Sequence, residues 1–456
     1  MAENVLLFPQ DYSLDSVSIV STLGEPVEFR HILQALVYYE DLYSNCITGQ
    51  LLINDATGYL SMYHFNGTEY LTLSFSKPGP EDIKIKKTFR VFKVDNRHMV
   101  NEQNENYVMH FCSEENVLSE QYKVSKSYKN KKVHEIVQDI MYNKLKVLPE
   151  KLVPTNVEYT KNVRDIIIPN LKPFEAINWL CTQAISNNPK TLGSPYLFYE
   201  NYFGYNFKSL QSLFDGQIYG EYKYEPKNVT TSDDRRVIDI DAAKRNIISY
   251  EPISVFDTLN MINTGGFANR LLTIDPLRRK YTINDFDYKK YFSNAKRLNE
   301  FDLLPNTQNR FGQTANTTYD AVLKVVTTNT GETTYNSYIK KNQPSVKDIQ
   351  IENTIPFRTA QLSHINYNRY KLMIAGDPKM TVGNIIKVNI PELAILPEGK
   401  TLDRFHSGKY LVTAVKHTID IENKFMTFIE VSKESVPTKY ADPDNSLPEW
   451  KLMRSR

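Results

Sequence analysis

The stretch AGDPKMTVGNIIKVNI, residues 375–390, and the stretch GKYLVTAVKHTI, residues 408–419, decide the fold of this chain. Apolar and polar residues alternate before Gly376 and again after Gly383, as is typical of β-strands with one buried face. The second stretch alternates in the same way, and another alternating run, FMTFIEV, follows after a short polar loop. Together the runs predict the antiparallel strands of a small barrel.

The same stretch supplies five candidates for structural turns or interfaces: Gly376, Asp377, Pro378, Gly383 and His417. Glycine is the usual residue where φ must be positive or where two backbones approach closely. An ordinary loop glycine that tolerates a side chain is the alternative, and the sequence does not separate the two. His417 lies on the apolar face of its predicted strand, which favours a core or interface histidine over a metal ligand.

Length and charge restrict the possible classes of protein. The 456 residues exceed the usual size of one hydrophobic core, so we expect several domains. Lys and Arg number 55 against 53 Asp and Glu, a net charge of +2, so no overall positive field favours sequence-specific DNA binding. We interpret the densest basic run, residues 126–132, as a solvated loop.

Motif searches give no support for catalysis, cofactor binding or a metal site. No phosphate-binding glycine loop and no nucleophile elbow occurs. His134 begins a pattern like that of zinc proteases, but Gln138 stands where the second histidine is needed, so we expect His134 on an exposed helix surface. The three cysteines are scattered, and the N-terminal residues lack a long apolar segment. We therefore expect that the chain is not an enzyme, that it binds no cofactor and no metal, and that it does not insert into a membrane.

The hydrophobic period divides the chain. Period-2 patterns predict a first β-barrel, and a period of 3.6 predicts helices over Val133–Leu145 and after Pro173. A further helix is predicted over Pro252–Ile262, with Phe256 and Leu259 buried. The fold class is mainly β, with two antiparallel β-barrels separated by an α+β domain. The predicted limits are 1–122 for the first barrel, 123–244 for the insert, 245–292 and 346–436 for the second barrel, 293–345 for a polar insertion, and 437–456 for a tail.

These features resemble the baseplate hub proteins of contractile-tailed bacteriophages. The strand, GDP turn, VGNIIKV strand, GKYLVTAVKH and FMTFIEV follow the order of the second tube domain in that family. SKSYKNKKVHEIVQDIM and IIIPNLKPFEAINWLCTQA are similar to the helix pair of its insert. EDLYSNCITGQLLINDATGYL, followed by Gly67–Thr68–Glu69, resembles its first tube domain. Type VI secretion spike proteins look similar.

The resemblance implies a structural protein and a set of partners. It implies a homotrimer with pseudo-sixfold symmetry that joins the hexameric tail tube, or a tube initiator, to a trimeric central spike. Baseplate wedge proteins and the tape measure protein are further implied partners, and DNA would pass through transiently without sequence recognition. The implied location is the tail baseplate of a virion assembled in the host cytoplasm.

Two alternatives remain open at the level of sequence. A spike or hub of a phage-tail-like injection or type VI secretion system shares the barrels, although no β-helix repeats follow Val436. A tail-associated cell-wall hydrolase would need an acid and a base residue, and the sequence identifies no such pair.

Overall fold

The computed structural model describes residues 12–20, 24–63, 65–77, 83–161, 163–188, 193–224, 244–276, 279–303, 323–327, 351–392, 402–420 and 424–439. Thirteen of the strands form one continuous, mostly antiparallel sheet around two apolar cores. An α+β region separates the two halves in sequence. The predicted fold class is therefore confirmed.

The first barrel is a sheet in the order β2-β1-β5-β6-β7-β4-β3. One face of each strand contributes to a shared core, in which Val17, Leu51 and Phe111 are buried. The alternation of the sequence places these side chains on one face because successive residues of a strand point to opposite sides. Its elements are β1 Ser13–Val20, β2 Pro26–Glu28, β3 Leu33–Asp41, β4 Thr48–Asp55, α1 Tyr59–Met62, β5 Tyr70–Lys77, β6 Ile83–Met99 and β7 Glu105–Cys112.

In the insert, helices pack against two antiparallel pairs of strands. The predicted helices are confirmed. The third residue of each is a glutamate whose carboxylate accepts the backbone N–H of the lysine just before the helix: Glu135 from Lys132 at 3.1 Å and Glu175 from Lys172 at 3.2 Å. The elements are α2 Glu114–Gln121, β8 Val124–Lys132, α3 Val133–Asn143, a 3₁₀ turn Pro154–Asn156, β9 Val163–Leu171, α4 Pro173–Gln183, β10 Tyr196–Asn201, β11 Gly204–Ser209, α5 Leu210–Phe214 and β12 Ile218–Lys223.

The second barrel contains the strands predicted from the opening stretch. A smaller sheet, in the order β15-β14-β17, packs beside it against a long helix. The elements are β13 Ile247–Ser254, α6 Thr258–Asn263, β14 Ala268–Asp275, β15 Lys280–Asp287, α7 Tyr288–Phe292, β16 Phe301–Asp302, β17 Leu323–Thr327, α8 Ile351–Ile365, β18 Asn368–Ala375, β19 Ile385–Asn389, β20 Gly408–Asp420, β21 Phe425–Lys433 and β22 Ser435–Val436. Most of the predicted polar insertion and tail lie outside the described residues.

The helix predicted over Pro252–Ile262 is wrong in its first half. Pro252 lies in β13, and α6 begins only at Thr258, where the side chain of Asp257 accepts the N–H of Asn260. Phe256 and Leu259, expected to be buried, are 72% and 78% exposed. Strand pairing with β18 outweighs the apparent helical period in this segment.

Two further expectations about the insert are also wrong. The basic run 126–132 is part of β8, not a loop, because β8 pairs with β9 and buries Val124 and Tyr128 while its lysines face solvent. His134 is buried, not exposed. Its Nδ1 accepts the N–H of Thr160 at 3.0 Å, which satisfies the buried ring nitrogen. Burial also lowers the pKa of His134.

The two barrels repeat one strand order. In the first barrel β3, β4, β7, β6 and β5 lie side by side, and in the second β13, β18, β21, β20 and β19 do so in the same sequence. The register between β6 and β7 shifts between Val91 and Lys93, and the register between β20 and β21 shifts between Val412 and Ala414. A bulge of this kind adds one residue to a strand and bends it. The same irregularity therefore occurs at the same place in both barrels.

A second irregularity also recurs. The ladder of β3 with β4 shifts between Leu33 and Ala35, and the ladder of β13 with β18 shifts between Ile247 and Ser249. The barrels differ on the far side of this unit: β1 pairs antiparallel with β5, whereas β12, which comes from the insert, pairs parallel with β19. The five-strand unit is thus an internal structural repeat.

Candidate interaction site at the barrel junction

The two barrels are joined by direct strand pairing. Residues 414–420 of β20 pair antiparallel with residues 35–41 of β3, so that Lys416 lies opposite Tyr39 and Thr418 opposite Val37. Strand edges are normally protected from such pairing in single domains. Here the edge of one barrel is completed by the edge of the next.

The segment 376–383, called here the junction segment, links β18 to β19. These two strands pair with different neighbours, so the predicted reversal is a crossing connection and not a hairpin. The N–H of Gly376 donates to the carbonyl of Phe425 at 2.8 Å, and a Cβ added to Gly376 would overlap the Phe425 ring. The Gly376 carbonyl in turn accepts a hydrogen bond from Lys77 of the first barrel.

Asp377 connects the junction segment to two other elements. Its N–H donates to Oγ1 of Thr427 at 3.1 Å, and its Oδ2 accepts the hydroxyl of Tyr219, from β12, at 2.7 Å. Pro378 lies beside a largely apolar cavity that is also lined by Tyr38 and His417. The GDP turn is therefore held by β21, by the insert and by the first barrel.

Gly383 ends the junction segment under two separate constraints. Its φ is +88°, a conformation that residues with a Cβ rarely adopt. A Cβ at this position would also lie 2.7 Å from the hydroxyl oxygen of Tyr199, on β10 of the insert. The Gly383 N–H donates to the carbonyl of Val412 at 2.9 Å, which fixes the segment on β20.

Glu40 ties the first barrel to the junction segment. This residue of β3 is buried, and its Oε2 accepts the N–H of Val382 at 3.2 Å while its Oε1 accepts the Tyr38 hydroxyl at 2.7 Å. Burial raises the pKa of Glu40 to about 7, although both hydrogen bonds and the nearby charge of Lys87 favour the ionised form.

His417 lies on β20 directly opposite Tyr38. Its Nδ1 is 3.0 Å from Oγ1 of Thr427, and its ring stacks on the Tyr38 ring with centroids 5.5 Å apart. Burial lowers the pKa of His417 to about 4, so the imidazole is neutral at neutral pH. Thr427 therefore contacts both His417 and Asp377, and the structure brings the five candidates of the sequence together at the junction.

A second buried polar cluster joins the insert to the first barrel. Oε2 of Glu200, on β10, accepts the N–H of Ile47 at 3.0 Å and the hydroxyl of Ser113 at 2.5 Å. Nearby, the Lys151 ammonium contacts both carboxylate oxygens of Glu115, at 2.8 and 3.0 Å. Burial raises the pKa of Glu200, and the charge of Glu115 raises it further. These contacts fix the orientation of the insert against the barrel.

Neither Glu40 nor Glu200 was a candidate from the sequence. A signal was present for Glu40, because the alternation of β3 places it on the same face as Leu36 and Tyr38, where a carboxylate needs buried partners. The partners themselves, such as the Val382 N–H, lie far away in the sequence. No local pattern could have identified them.

The opposite face of the junction carries a row of side chains directed away from the cores. Met373, Phe428, Lys416, Tyr39 and Thr48 lie opposite one another on five successive strands. The Lys416 ammonium lies 5.8 Å from the centre of the Tyr39 ring and 5.6 Å from that of Phe428. Such cation–π contacts cross the boundary between the barrels and add to the strand pairing.

Within the described residues, no group of three or more His, Cys, Asp or Glu side chains could hold a metal ion. Cys46, Cys112 and Cys181 are free and buried. No helix in this part of the chain has both the length and the apolar character needed to span a bilayer.

No protein-family model and no curated protein matches the sequence. Among solved structures, a tail protein from Neisseria meningitidis MC58 is similar with a TM-score of 0.50 and 8% identity, over 93% of this chain and 97% of that chain. The 43 kDa tail protein of prophage MuSo2 from Shewanella oneidensis is similar with a TM-score of 0.47 and 11% identity, over 93% of this chain and 100% of that chain. A type VI secretion component from E. coli gives a TM-score of 0.40 and 8% identity, over 91% of this chain and 76% of that chain.

The likeness to the Neisseria protein concerns the fold, since the identity is low and the alignment spans nearly all of both chains. This chain therefore shares the fold of that tail protein. Its combination of two barrels with an α+β insert is the one that the resemblance to baseplate hub proteins implies.

Proposed function

We propose that this chain is the structural hub of a contractile phage tail baseplate. Three copies form a ring of six barrels with pseudo-sixfold symmetry, which joins the hexameric tail tube to the trimeric central spike and lets DNA pass. The observation that supports this proposal best is the internal repeat. The two barrels share one strand order and are joined edge to edge within a single chain, so each chain would supply one third of such a ring.

The junction is built to hold the two barrels at a fixed angle. Strand pairing, the Glu40–Val382 hydrogen bond and the contacts of Asp377 connect both barrels and the insert. Such coupling of the barrels suits a protein that joins a tube to a spike. The proposed partners are the tail tube or tube initiator, the spike, the baseplate wedge proteins and the tape measure protein.

The proposed role involves no catalysis. The junction contains buried, hydrogen-bonded carboxylates whose partners are backbone N–H groups and hydroxyls, which is an arrangement suited to holding elements together. Light scattering on the purified chain, alone and with a spike protein, tests the proposal. A particle of three times the chain mass is expected. A monomer at high concentration, even with the spike present, would contradict it.

A further inference from the structure

Two strand edges of the large sheet have no partner among the described residues. β6 pairs with β5 only from Ile83 to Arg90, and the strand then continues to Met99 with that side open. Within the described part of the chain, β13 pairs with β18 on one side and with no strand on the other. The two edges belong to different barrels.

The internal repeat relates these open edges to the junction inside the chain. β6 corresponds to β20 and β13 corresponds to β3, because their neighbours match and one register shift of each ladder recurs. β20 likewise pairs with its short neighbour β19 over Gly408–Leu411 and then continues beyond it. That continuation is the part of β20 that pairs with β3. The matching part of β6 is the open one.

We propose that β6 of one copy pairs antiparallel with β13 of a second copy, in the register that β20 and β3 show within the chain. This inference rests on the proposed function, since it names the contact that would close the ring. Thr418 lies opposite Val37 at the internal junction, and the corresponding residues place His98 opposite Glu251 between copies. The next pair along the ladder is Met99 opposite Tyr250.

Burial at the internal junction shows what the open edge lacks. Ile419 of β20, which lies opposite Leu36 of β3 in the ladder, is 2% exposed and packs in the core of the first barrel. Met99, the corresponding residue of β6, is 76% exposed. A large apolar side chain is thus exposed at a position that is buried in the other copy of the repeat. It marks a surface that a partner strand would cover. Phe256 and Leu259, which follow β13 in the chain, are also exposed.

The local irregularities of the two edges also correspond. Pro252, which has no N–H, occupies the position of Tyr38 in the repeat. On β6 the register shifts between Asp95 and His98, and Asn96 in this bulge has a φ of +51°. The proposed register sets this bulge opposite Pro252, so the ladder bond that proline cannot make falls where β6 is itself irregular.

The facing polar residues are compatible with this arrangement. Glu251 and His98 are both exposed and would be direct cross-strand neighbours, and an imidazole N–H can donate to a carboxylate. Arg97, next to His98 on β6, contacts Glu105 of its own chain at 2.8 Å. A second copy of this chain therefore supplies an edge that matches β13 in direction and apolar surface.

Disulfide cross-linking tests the register. Residues opposite each other on paired strands have Cβ atoms about 4.5–5.5 Å apart, close to the range that a disulfide bridges. We would combine His98→Cys with Glu251→Cys in one chain and oxidise it mildly. The three native cysteines are buried and stay in place. The control combines Glu251→Cys with Ile167→Cys, since Ile167 is exposed on β9, a strand of the insert that takes no part in the proposed pairing.

The expected result is covalent dimers and trimers in the His98/Glu251 variant, at roughly tenfold the level of the control, because only that pair would meet disulfide geometry. Light scattering on the wild-type chain runs in parallel. A trimer in which the pair cross-links no better than the control overturns this interface and leaves the proposed ring standing. A wild-type chain that stays monomeric overturns both. Cross-linking by His98→Cys alone would also overturn the proposal, since it would indicate contact between two β6 strands.

Discussion

Glu40, on β3 of the first barrel, accepts a hydrogen bond at 3.2 Å from the backbone N–H of Val382, in the junction segment of the second barrel. The two residues are distant in sequence, and both belong to the contact between barrels. Burying a carboxylate costs free energy, and hydrogen bonds such as this one offset part of that cost. The junction is therefore sensitive to the protonation state of one residue.

Glu40→Gln should change how stability depends on pH. Burial raises the folded-state pKa of Glu40 from 4.5 to about 7, so the folded protein binds this proton more tightly than the unfolded chain. The associated stability is present below about pH 4.5 and is lost as pH rises through 7, by roughly 3 kcal/mol. Urea unfolding at pH 5 and pH 8 should show this loss in the wild type but not in Glu40→Gln. Glu102→Gln, an exposed control, should follow the wild type; equal slopes in all three proteins would disprove the prediction.

His417→Gln should change the pH dependence of stability at acidic pH, in the direction opposite to that of Glu40→Gln. Burial lowers the folded-state pKa of His417 from 6.5 to about 4, so the unfolded chain binds the proton more tightly. The associated stability is present above about pH 6.5 and is lost as pH falls toward 4, again by roughly 3 kcal/mol. Thermal unfolding between pH 7 and pH 4 should show a shallower loss in His417→Gln than in the wild type. His31→Gln, at an exposed position outside the proposed contact between copies, is the control, and a His417→Gln slope equal to that of the wild type would refute the assignment.

Gly383→Val should impair both folding stability and assembly. The positive φ and the Tyr199 hydroxyl at 2.7 Å each oppose a side chain, and we expect a loss of about 1–3 kcal/mol from the backbone alone. Adding Tyr199→Phe should recover part of the loss, because it removes the oxygen but not the backbone strain. Unfolding in urea and light scattering measure the two effects. Thr334→Ala, in the polar insertion outside the described residues, is the control, and assembly of Gly383→Val at the level of this control would show that the junction segment does not matter to the ring.

The purified protein should hold no stoichiometric metal and should not degrade cell walls. No metal-binding group of side chains occurs among the described residues, and the sequence supplies no paired acid and base. Elemental analysis after dialysis measures zinc and calcium, and a turbidity assay with peptidoglycan measures hydrolysis. One retained zinc or calcium ion per chain, or clearing of the suspension, would require a different function.

Local patterns were sufficient for much of the fold. The period-2 runs around Ile386 and Val415 and the 3.6 period around Ile136 predicted strands and helices that the structure contains, because each reports which face of an element is buried. The segment Pro252–Ile262 was misjudged because its apolar residues fit a helical period, whereas pairing with a strand far along the chain decides its conformation. Helix α8, with Pro356 inside it, was not predicted for the related reason that its packing, not its composition, sustains it.

The candidate site was predictable only in part. Gly376, Asp377, Gly383 and His417 have local signals of turn or core, and they lie at the junction. Their partners in the first barrel and the insert were not predictable, since single-sequence patterns carry no information about contacts between distant segments. The internal repeat was also hidden, because it consists of strand order and bulge position and not of similar residues.

Electron microscopy of the purified chain tests the central claim most directly. Class averages viewed along the axis should show a ring of six similar lobes contributed by three chains, with a central channel. The three inserts should lie at every second junction, since each barrel pair carries one. Single compact particles of the size of one chain, or a dimer with twofold symmetry, would contradict the account.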